Sequence, residues 1–436
     1  MSAPLHVEIV QKRSSRASKD FIKETVHCYL ANFVAIKPGA TLSRELEDAE
    51  DLKEHVQSIS FCDAEHECEV APSDCEFVYH VFRLDTFGAE TDTLTDAASG
   101  EELAAATMWA LPNEEFHGLW ESLVYDSRLK ADTLRFAEAA FSFAERGVDP
   151  NVVGVNRVVL LHGPTGTGKT SLCRALAQKL AVRLSERFPR ARLLEIDAHS
   201  LFSKWFSESG KLVARLFARV AELAEDPRLL AVVLVDEVES LAAARQAALR
   251  GLEPSDAVRA VNAVLTALDR LRRLPNALLL ATSNVTGAID VAFVDRADVK
   301  RLVGPPSARA AYAVLRGCCA ELATRGVLAG CAAPLPLCDL ESARFRETEG
   351  TAQSLRLWRV AREAAAAQLS GRALRRLPFL ACALHMPPRT RPALPQFLDA
   401  LHAALLQHAA DAAALRDAGD PDHAPHDGSV RNGTRD

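Results

Sequence analysis

Three continuous apolar runs of strand length punctuate the middle of the chain: Arg157 to Leu161, Leu230 to Val235 and Asn276 to Thr282. None alternates with polar residues, which is the pattern of strands buried on both faces of a parallel sheet. Behind the first, residues Ser171 to Leu184 carry apolar side chains at helical spacing (Leu172, Ala175, Leu176, Leu180). The middle of the chain therefore predicts an α/β core, a parallel sheet flanked by helices. Toward the N-terminus the pattern changes. Val7 to Val10 alternates, Lys19 to Ala31 has helical periodicity, and Val56 to Cys62 and Cys75 to Leu84 read as strands. These predict a small α+β domain over residues 1–84. Residues 85–108 are polar, acidic and rich in turn formers, and are expected to be a flexible linker. The α/β core is expected over 109–306, beginning at the segment of Trp109, Phe116 and Trp120. After Pro305 and Pro306 an Ala/Arg/Leu-rich stretch predicts a helical lid over 307–410. From Asp411 to the end, Ala, Asp, His, Gly and Pro dominate, and a disordered tail is expected over 411–436.

Composition narrows the class. With 436 residues, 48% hydrophobic and 25% charged, the chain has the profile of a soluble protein of two or three domains. No apolar stretch reaches membrane-spanning length, and no signal-peptide core follows Met1. The 10 cysteines lack Cys-x-x-Cys pairing, as expected of reduced thiols in a cytosolic or nuclear protein. Net charge is −7, unevenly spread: residues 1–108 hold 9 Lys and Arg against 21 Asp and Glu. An acidic N-terminal segment suits a basic protein surface and opposes binding to phosphate backbones, so no direct contact with nucleic acid is expected.

Chemistry enters at Gly163, Pro164, Thr165, Gly166, Thr167, Gly168, Lys169 and Thr170, with Ser171 next. This G-x-x-x-x-G-K-[ST] pattern lies between a strand and a helix, the context that makes it a phosphate cradle. Glycines let backbone N–H groups converge on an anion, and the helix N-terminus adds partial positive charge. Lys169 is placed for the β/γ-phosphates of ATP and the Thr170 hydroxyl for Mg²⁺. The second strand ends in Asp236 and Glu237. Asp236 suits Mg²⁺ through its water shell, and Glu237 suits polarisation of a water for attack on the γ-phosphate. Together the two motifs predict an Mg²⁺-dependent ATPase.

Other positions separate ATPase classes. The third strand leads to Asn284, suited to orienting the attacking water. Arg296 stands among acids at a helix end, either as a finger reaching a neighbour's ATP or in a local salt bridge with Asp295 or Asp298; Lys300 and Arg301 are the other candidates for the finger. Arg372 follows Gly371 in the lid and can approach the γ-phosphate, with Arg375 and Arg376 as alternatives. Lys204, Trp205 and Phe206 form an aromatic pair amid polar residues, fit for gripping an unfolded chain or, alternatively, for packing on their own domain.

This order of motifs resembles the AAA+ superfamily. The segments Leu161 to Cys173, Ser200 to Leu212, Asp236 to Leu241, Glu253 to Asp256, Asp290 to Asp298 and Leu369 to Arg372 resemble, within it, the pachytene checkpoint protein 2 family, also called thyroid receptor-interacting protein 13. The likeness runs from about Leu5 to about Gln407; Thr165 replaces the family's second P-loop proline, and Val327 to Glu363 match poorly. The resemblance implies a homohexameric ATPase that opens closed HORMA-domain proteins of the spindle checkpoint and the meiotic chromosome axis. It also implies a HORMA-like adaptor received by the N-terminal domain, and a nuclear and cytoplasmic location. Lys204, Trp205 and Phe206 would be its first pore loop, and the second would lie near Ala244 to Ser255. Two other classes compete. A nucleic-acid motor or clamp loader would need basic clusters, and a non-catalytic scaffold would normally lack Lys169 or Glu237.

Overall fold

The computed structural model describes residues 4–43, 45–62, 70–95, 102–198, 209–240, 255–285, 289–330 and 333–418. The chain forms two compact units, Met1–Gly304 and Pro305–Asp436. The first begins with β1 (Leu5–Gln11), α1 (Lys19–Leu30), β2 (Thr41–Leu42), α2 (Glu50–Lys53), β3 (Val56–Cys62) and β4 (Phe77–Phe82). The strands form one sheet in the order β2-β3-β1-β4, with β1 antiparallel to β3 and parallel to β4. Helix α1 starts where the Ser18 hydroxyl accepts the Phe21 N–H. It buries Ile22, Val26 and Leu30, one turn apart, among Val7, Ile9, Ile59 and Phe61.

The larger layer is a seven-stranded sheet in the order β11-β7-β10-β9-β8-β6-β5. Its strands are β5 (Glu90–Thr95), β6 (Glu102–Leu111), β7 (Val158–His162), β8 (Arg190–Asp197), β9 (Leu229–Asp236), β10 (Ala277–Ser283) and β11 (Val299–Leu302). From β11 to β8 the strands are parallel, while β6 and β5 run antiparallel at the edge. Helices α3 (Leu119–Ser122), α4 (Leu129–Glu145), α5 (Lys169–Arg183), α6 (Ser209–Ala224), α7 (Ser255–Leu271) and α8 (Val291–Arg296) complete this layer. On β9, Leu230, Val232 and Leu234 pack on one face with residues of α4 and α5, and Val233 and Val235 on the other with residues of α6 and α7. Burial on both faces explains why the run reads as continuously apolar.

Two expectations need correction. Residues 85–108 are not a linker: they contain β5 and most of β6, paired from Glu90 with Met108 to Thr95 with Glu102. Threonines at 91, 93 and 95 are β-branched and suit a strand, and an edge strand with one neighbour needs no continuous apolar run. The tail is also shorter than expected, because helix continues to Ala418 through an alanine-rich stretch with high helix propensity; residues 419–436 lie outside the described residues.

Helix α5 joins the two sheets of the first unit. The Lys179 ammonium lies 2.8 Å from Glu8 Oε1 on β1 and 3.0 Å from Glu121 Oε1 on α3. Gln178 exchanges two hydrogen bonds with the backbone of Asn113, at 2.8 and 2.9 Å. Val182 packs with Val10, Phe82 and Leu84.

The second unit is a helical bundle of α9 (Ala308–Thr324), α10 (Leu337–Ser342), α11 (Ala352–Ala366), α12 (Gly371–His385) and α13 (Leu394–Ala418). Its core includes Tyr312, Leu357, Leu377 and Phe397. Ser307 and Ser370 cap α9 and α12 by accepting N–H groups of the first turn. Among the described residues no helix is long and apolar enough to cross a membrane, and every cysteine is a free thiol.

Candidate active site

Because β10 lies between β7 and β9, the C-terminal ends of three neighbouring strands meet at one edge of the sheet. That edge is where open α/β sheets bind ligands. Strand β7 delivers the glycine loop. Gly163 has φ +140°, and a Cβ there would lie 2.3 Å from the Val303 carbonyl oxygen, so only glycine fits. Gly168 caps α5 at φ +93°, and its carbonyl accepts the Tyr125 hydroxyl at 3.1 Å. The Thr167 hydroxyl donates to Pro164 O at 3.0 Å, closing the loop on itself. Pro164 and Thr165 are exposed at its rim, and Thr170 and Ser171 follow on the first turn of α5. Lys169 is only 4% exposed, and its ammonium donates to Gly163 O at 2.9 Å and Pro164 O at 2.7 Å. A buried cation whose partners are loop carbonyls can exchange them for an anion, as glycine loops at helix N-termini do. Burial and then the Lys169 charge push the neighbouring His162 imidazole below its ordinary value, which leaves it neutral at pH 7.

Strand β9 brings the acids. The Thr170 hydroxyl lies 3.0 and 3.1 Å from the two Asp236 carboxylate oxygens, and the Thr282 hydroxyl also donates to Asp236. A hydroxyl and a carboxylate so close are a hard-oxygen pair of the kind Mg²⁺ accepts. The backbone turns sharply at Glu237, whose φ of +60° costs a non-glycine residue about 1–3 kcal/mol. The Glu237 N–H donates to Thr282 Oγ1 at 3.3 Å and the Val238 N–H to Thr282 O at 2.9 Å. From β10, Asn284 Nδ2 donates to Glu237 Oε1 at 3.1 Å. An amide has two N–H donors and an acceptor, so Asn284 keeps the capacity to hold a second group beside that carboxylate. Thr282, Tyr125 and Glu239, which accepts the Asn284 N–H at 3.1 Å, join the site without a motif of their own, although Glu239 lies inside the segment Asp236 to Leu241.

The arginines sit elsewhere. Arg296, at the end of α8, makes a bidentate pair with Asp269 of α7, at 2.9 and 2.8 Å, and donates to Ala292 O. Its local partner is therefore neither Asp295 nor Asp298. Asp298 instead accepts the N–H groups of Asn156 and Val158. The hydrogen bonds from Arg296 hold the Asp269 carboxyl below its ordinary value. Arg301 lies 3.6 Å from Asp132, and Lys300 is exposed on β11. Arg372 is exposed on the first turn of α12, in the second unit. Lys204, Trp205 and Phe206 lie outside the described residues, as does the second pore loop up to residue 254.

Three family models match the chain. The TRIP13 N-terminal domain matches residues 1–87, the ATPase family associated with various cellular activities (AAA) matches 159–305, and the TRIP13-like AAA+ ATPase lid C-terminal domain matches 307–409. The Mus musculus pachytene checkpoint protein 2 homolog is 46% identical over 389 residues, 88% of this chain and 89% of its own. The solved C. elegans PCH-2 is 33% identical with a TM-score of 0.73, covering 93% of this chain and 99% of its own. A chain of the E. coli MS115-1 HORMA:CdnC:Trip13 complex shares the fold at 18% identity and a TM-score of 0.50, over 68% of this chain and 94% of its own.

Proposed function

The chain belongs to the pachytene checkpoint protein 2 (TRIP13-like) family of AAA+ ATPases, and from that premise we propose that it is an ATP-driven remodeller of HORMA-domain proteins. The observation that carries the reading is a family-specific N-terminal domain joined to an ATPase whose Lys169, Asp236, Glu237 and Asn284 converge at one sheet edge. The E. coli Trip13, a protein of this fold, is itself part of a complex with a HORMA protein.

In this reading the P-loop backbone and Lys169 receive the β- and γ-phosphates of ATP, the lysine exchanging its loop carbonyls for phosphate oxygens. Thr170 and Asp236 would hold Mg²⁺, whose charge would neutralise those phosphates. Glu237 takes a proton from a water as that water's oxygen attacks the γ-phosphorus. The bond from the γ-phosphorus to the β–γ bridging oxygen breaks, and ADP leaves with its electron pair. Asn284 orients the water against Glu237. Subunits form a homohexamer in which Arg296 leaves Asp269 to reach the neighbour's γ-phosphate, and Arg372 reports its presence from the lid. Trp205 and Phe206 pull the substrate chain through the pore, with Lys204 beside them. The substrates are the HORMA proteins of the spindle checkpoint and the meiotic axis, met in the nucleus and cytoplasm and delivered by a HORMA-like adaptor.

The test is the ATPase rate of the full chain with and without closed HORMA proteins and adaptor. Stimulation by them is expected; stimulation by DNA and not by HORMA proteins would replace this reading with that of a nucleic-acid motor. The finger has its own test, in mixtures of Arg296→Ala and Glu237→Gln subunits. Each alone is expected to be inactive, and mixing restores interfaces with one intact Glu237 facing one intact Arg296. No recovery at any ratio would leave Arg296 as the structural partner of Asp269.

A further inference from the structure

We propose that Glu239 is a positioning residue for ATP hydrolysis, acting through Asn284 on Glu237. The proposal rests on the reading of Glu237 as the water-activating carboxylate. Strands β9 and β10 pair in regular register up to Val235 with Ala281. Beyond that the left-handed turn at Glu237 swings the β9 backbone away, and the contact is continued by other groups. The Thr282 hydroxyl and carbonyl accept the Glu237 and Val238 N–H groups. The next amide, that of Asn284, is accepted at 3.1 Å by the Glu239 side chain. A carboxylate thus stands in for the main-chain carbonyl that would accept this N–H in a continued ladder. The same Asn284 donates its side-chain N–H to Glu237 Oε1 at 3.1 Å. Fixing the backbone of Asn284 therefore fixes where its amide meets Glu237.

Packing does not account for a carboxylate here. Among the described residues Glu239 Oε2 is buried with no hydrogen-bond partner, a cost that an apolar side chain of the same size would avoid. An acceptor aimed at the Asn284 N–H gives Glu239 a role that a hydrocarbon cannot supply.

The experiment compares Glu239→Gln, Glu239→Met, Asn284→Ala and Glu237→Gln in the full-length protein, measuring kcat and ATP Kd for each. Methionine keeps the volume and removes the acceptor, whereas glutamine keeps an acceptor oxygen. Glu239→Met is expected to lower kcat about 10- to 100-fold, the scale of a misplaced catalytic group, with ATP Kd changed less than about two-fold. Glu239→Gln is expected to recover most of that loss. The double variant Glu239→Met/Asn284→Ala should be no slower than Asn284→Ala alone, since both act along one path. Unchanged kcat in Glu239→Met, loss of ATP binding in it, equal loss in the glutamine variant, or additivity with Asn284→Ala would each overturn the proposal. Near-normal turnover in Glu237→Gln would instead overturn the reading it rests on.

Discussion

Helix α5 carries two buried lysines ten residues apart, and their surroundings differ. Lys169, 4% exposed, is held by two carbonyl oxygens of the loop it belongs to. Lys179, 2% exposed, is held by two carboxylates from distant elements, Glu8 of β1 and Glu121 of α3, with Arg183 also on Glu8. Glu8, Cys62 and Glu121 would be a plausible metal cluster, but the Lys179 ammonium already lies within 3.0 Å of both carboxylates. Carbonyl dipoles keep Lys169 in place yet can be exchanged for phosphate oxygens. Carboxylates neutralise Lys179 and tie the N-terminal sheet to the ATPase core. One residue type thus meets exchangeable dipoles at one end of a helix and fixed charges at the other.

The largest effect is expected from substitution at the glycine-loop end of α5 and the strand end beside it. Lys169→Ala is expected to abolish ATP binding, read by nucleotide titration, with little change in melting temperature. Glu237→Gln should bind ATP but turn it over about 10²–10⁴-fold more slowly, the usual range for a lost general base. Intact binding in the first, or near-normal turnover in the second, would remove the catalytic reading of this end. At the other end Lys179→Met should leave ATP Kd and kcat per folded molecule close to normal while destabilising the first unit by about 1–3 kcal/mol, because the buried Glu8 carboxylate loses the ammonium at 2.8 Å and keeps the longer contact with Arg183 at 3.4 Å. Denaturant melts check the stability and ATP titration checks the rest; a loss of ATP affinity like that of Lys169→Ala would erase the distinction.

A smaller effect is expected in the pH dependence of stability. Desolvation would raise the Glu121 carboxyl, but the charge and hydrogen bond of Lys179, with a backbone hydrogen bond and Lys130, together outweigh it and hold the group below its ordinary 4.5. A carboxyl depressed in the folded state contributes stability above its unfolded value, and that contribution fades as pH falls through the folded value. The stability gap between wild type and Lys179→Met should therefore be full at pH 7 and narrow below about pH 4. A gap that widens toward acid would contradict the pairing.

Legibility in the sequence follows the same division. The P-loop, Asp236, Glu237 and Asn284 are readable because each sits at the end of a continuous apolar strand, and strand ends in a parallel sheet converge by topology. The pair Lys179 and Glu8 is 171 positions apart in sequence, and Arg296 lies 27 positions from Asp269; no local pattern announces either. The charge of Arg296 is visible in the sequence, but its partner lies on another helix and not among the adjacent acids, because consecutive helical residues do not face each other. Strand β5 reads as a linker because a hydrophilic edge strand offers no apolar signature, whereas β6, between β5 and β8, carries an apolar run from Leu103 to Leu111 broken only by Thr107.

If ATP turnover is converted into a pull on a HORMA protein, the pull is applied at Trp205 and Phe206. The most direct measurement follows opening of a closed HORMA substrate by wild type, Trp205→Ala and Phe206→Ala, alongside thermal melts and ATPase rates of each. The expected outcome is variants that melt near wild type and hydrolyse ATP yet no longer open the substrate. A fall in stability of about 3–5 kcal/mol, the cost of cutting a buried aromatic to alanine, with activity lost in proportion, would contradict it.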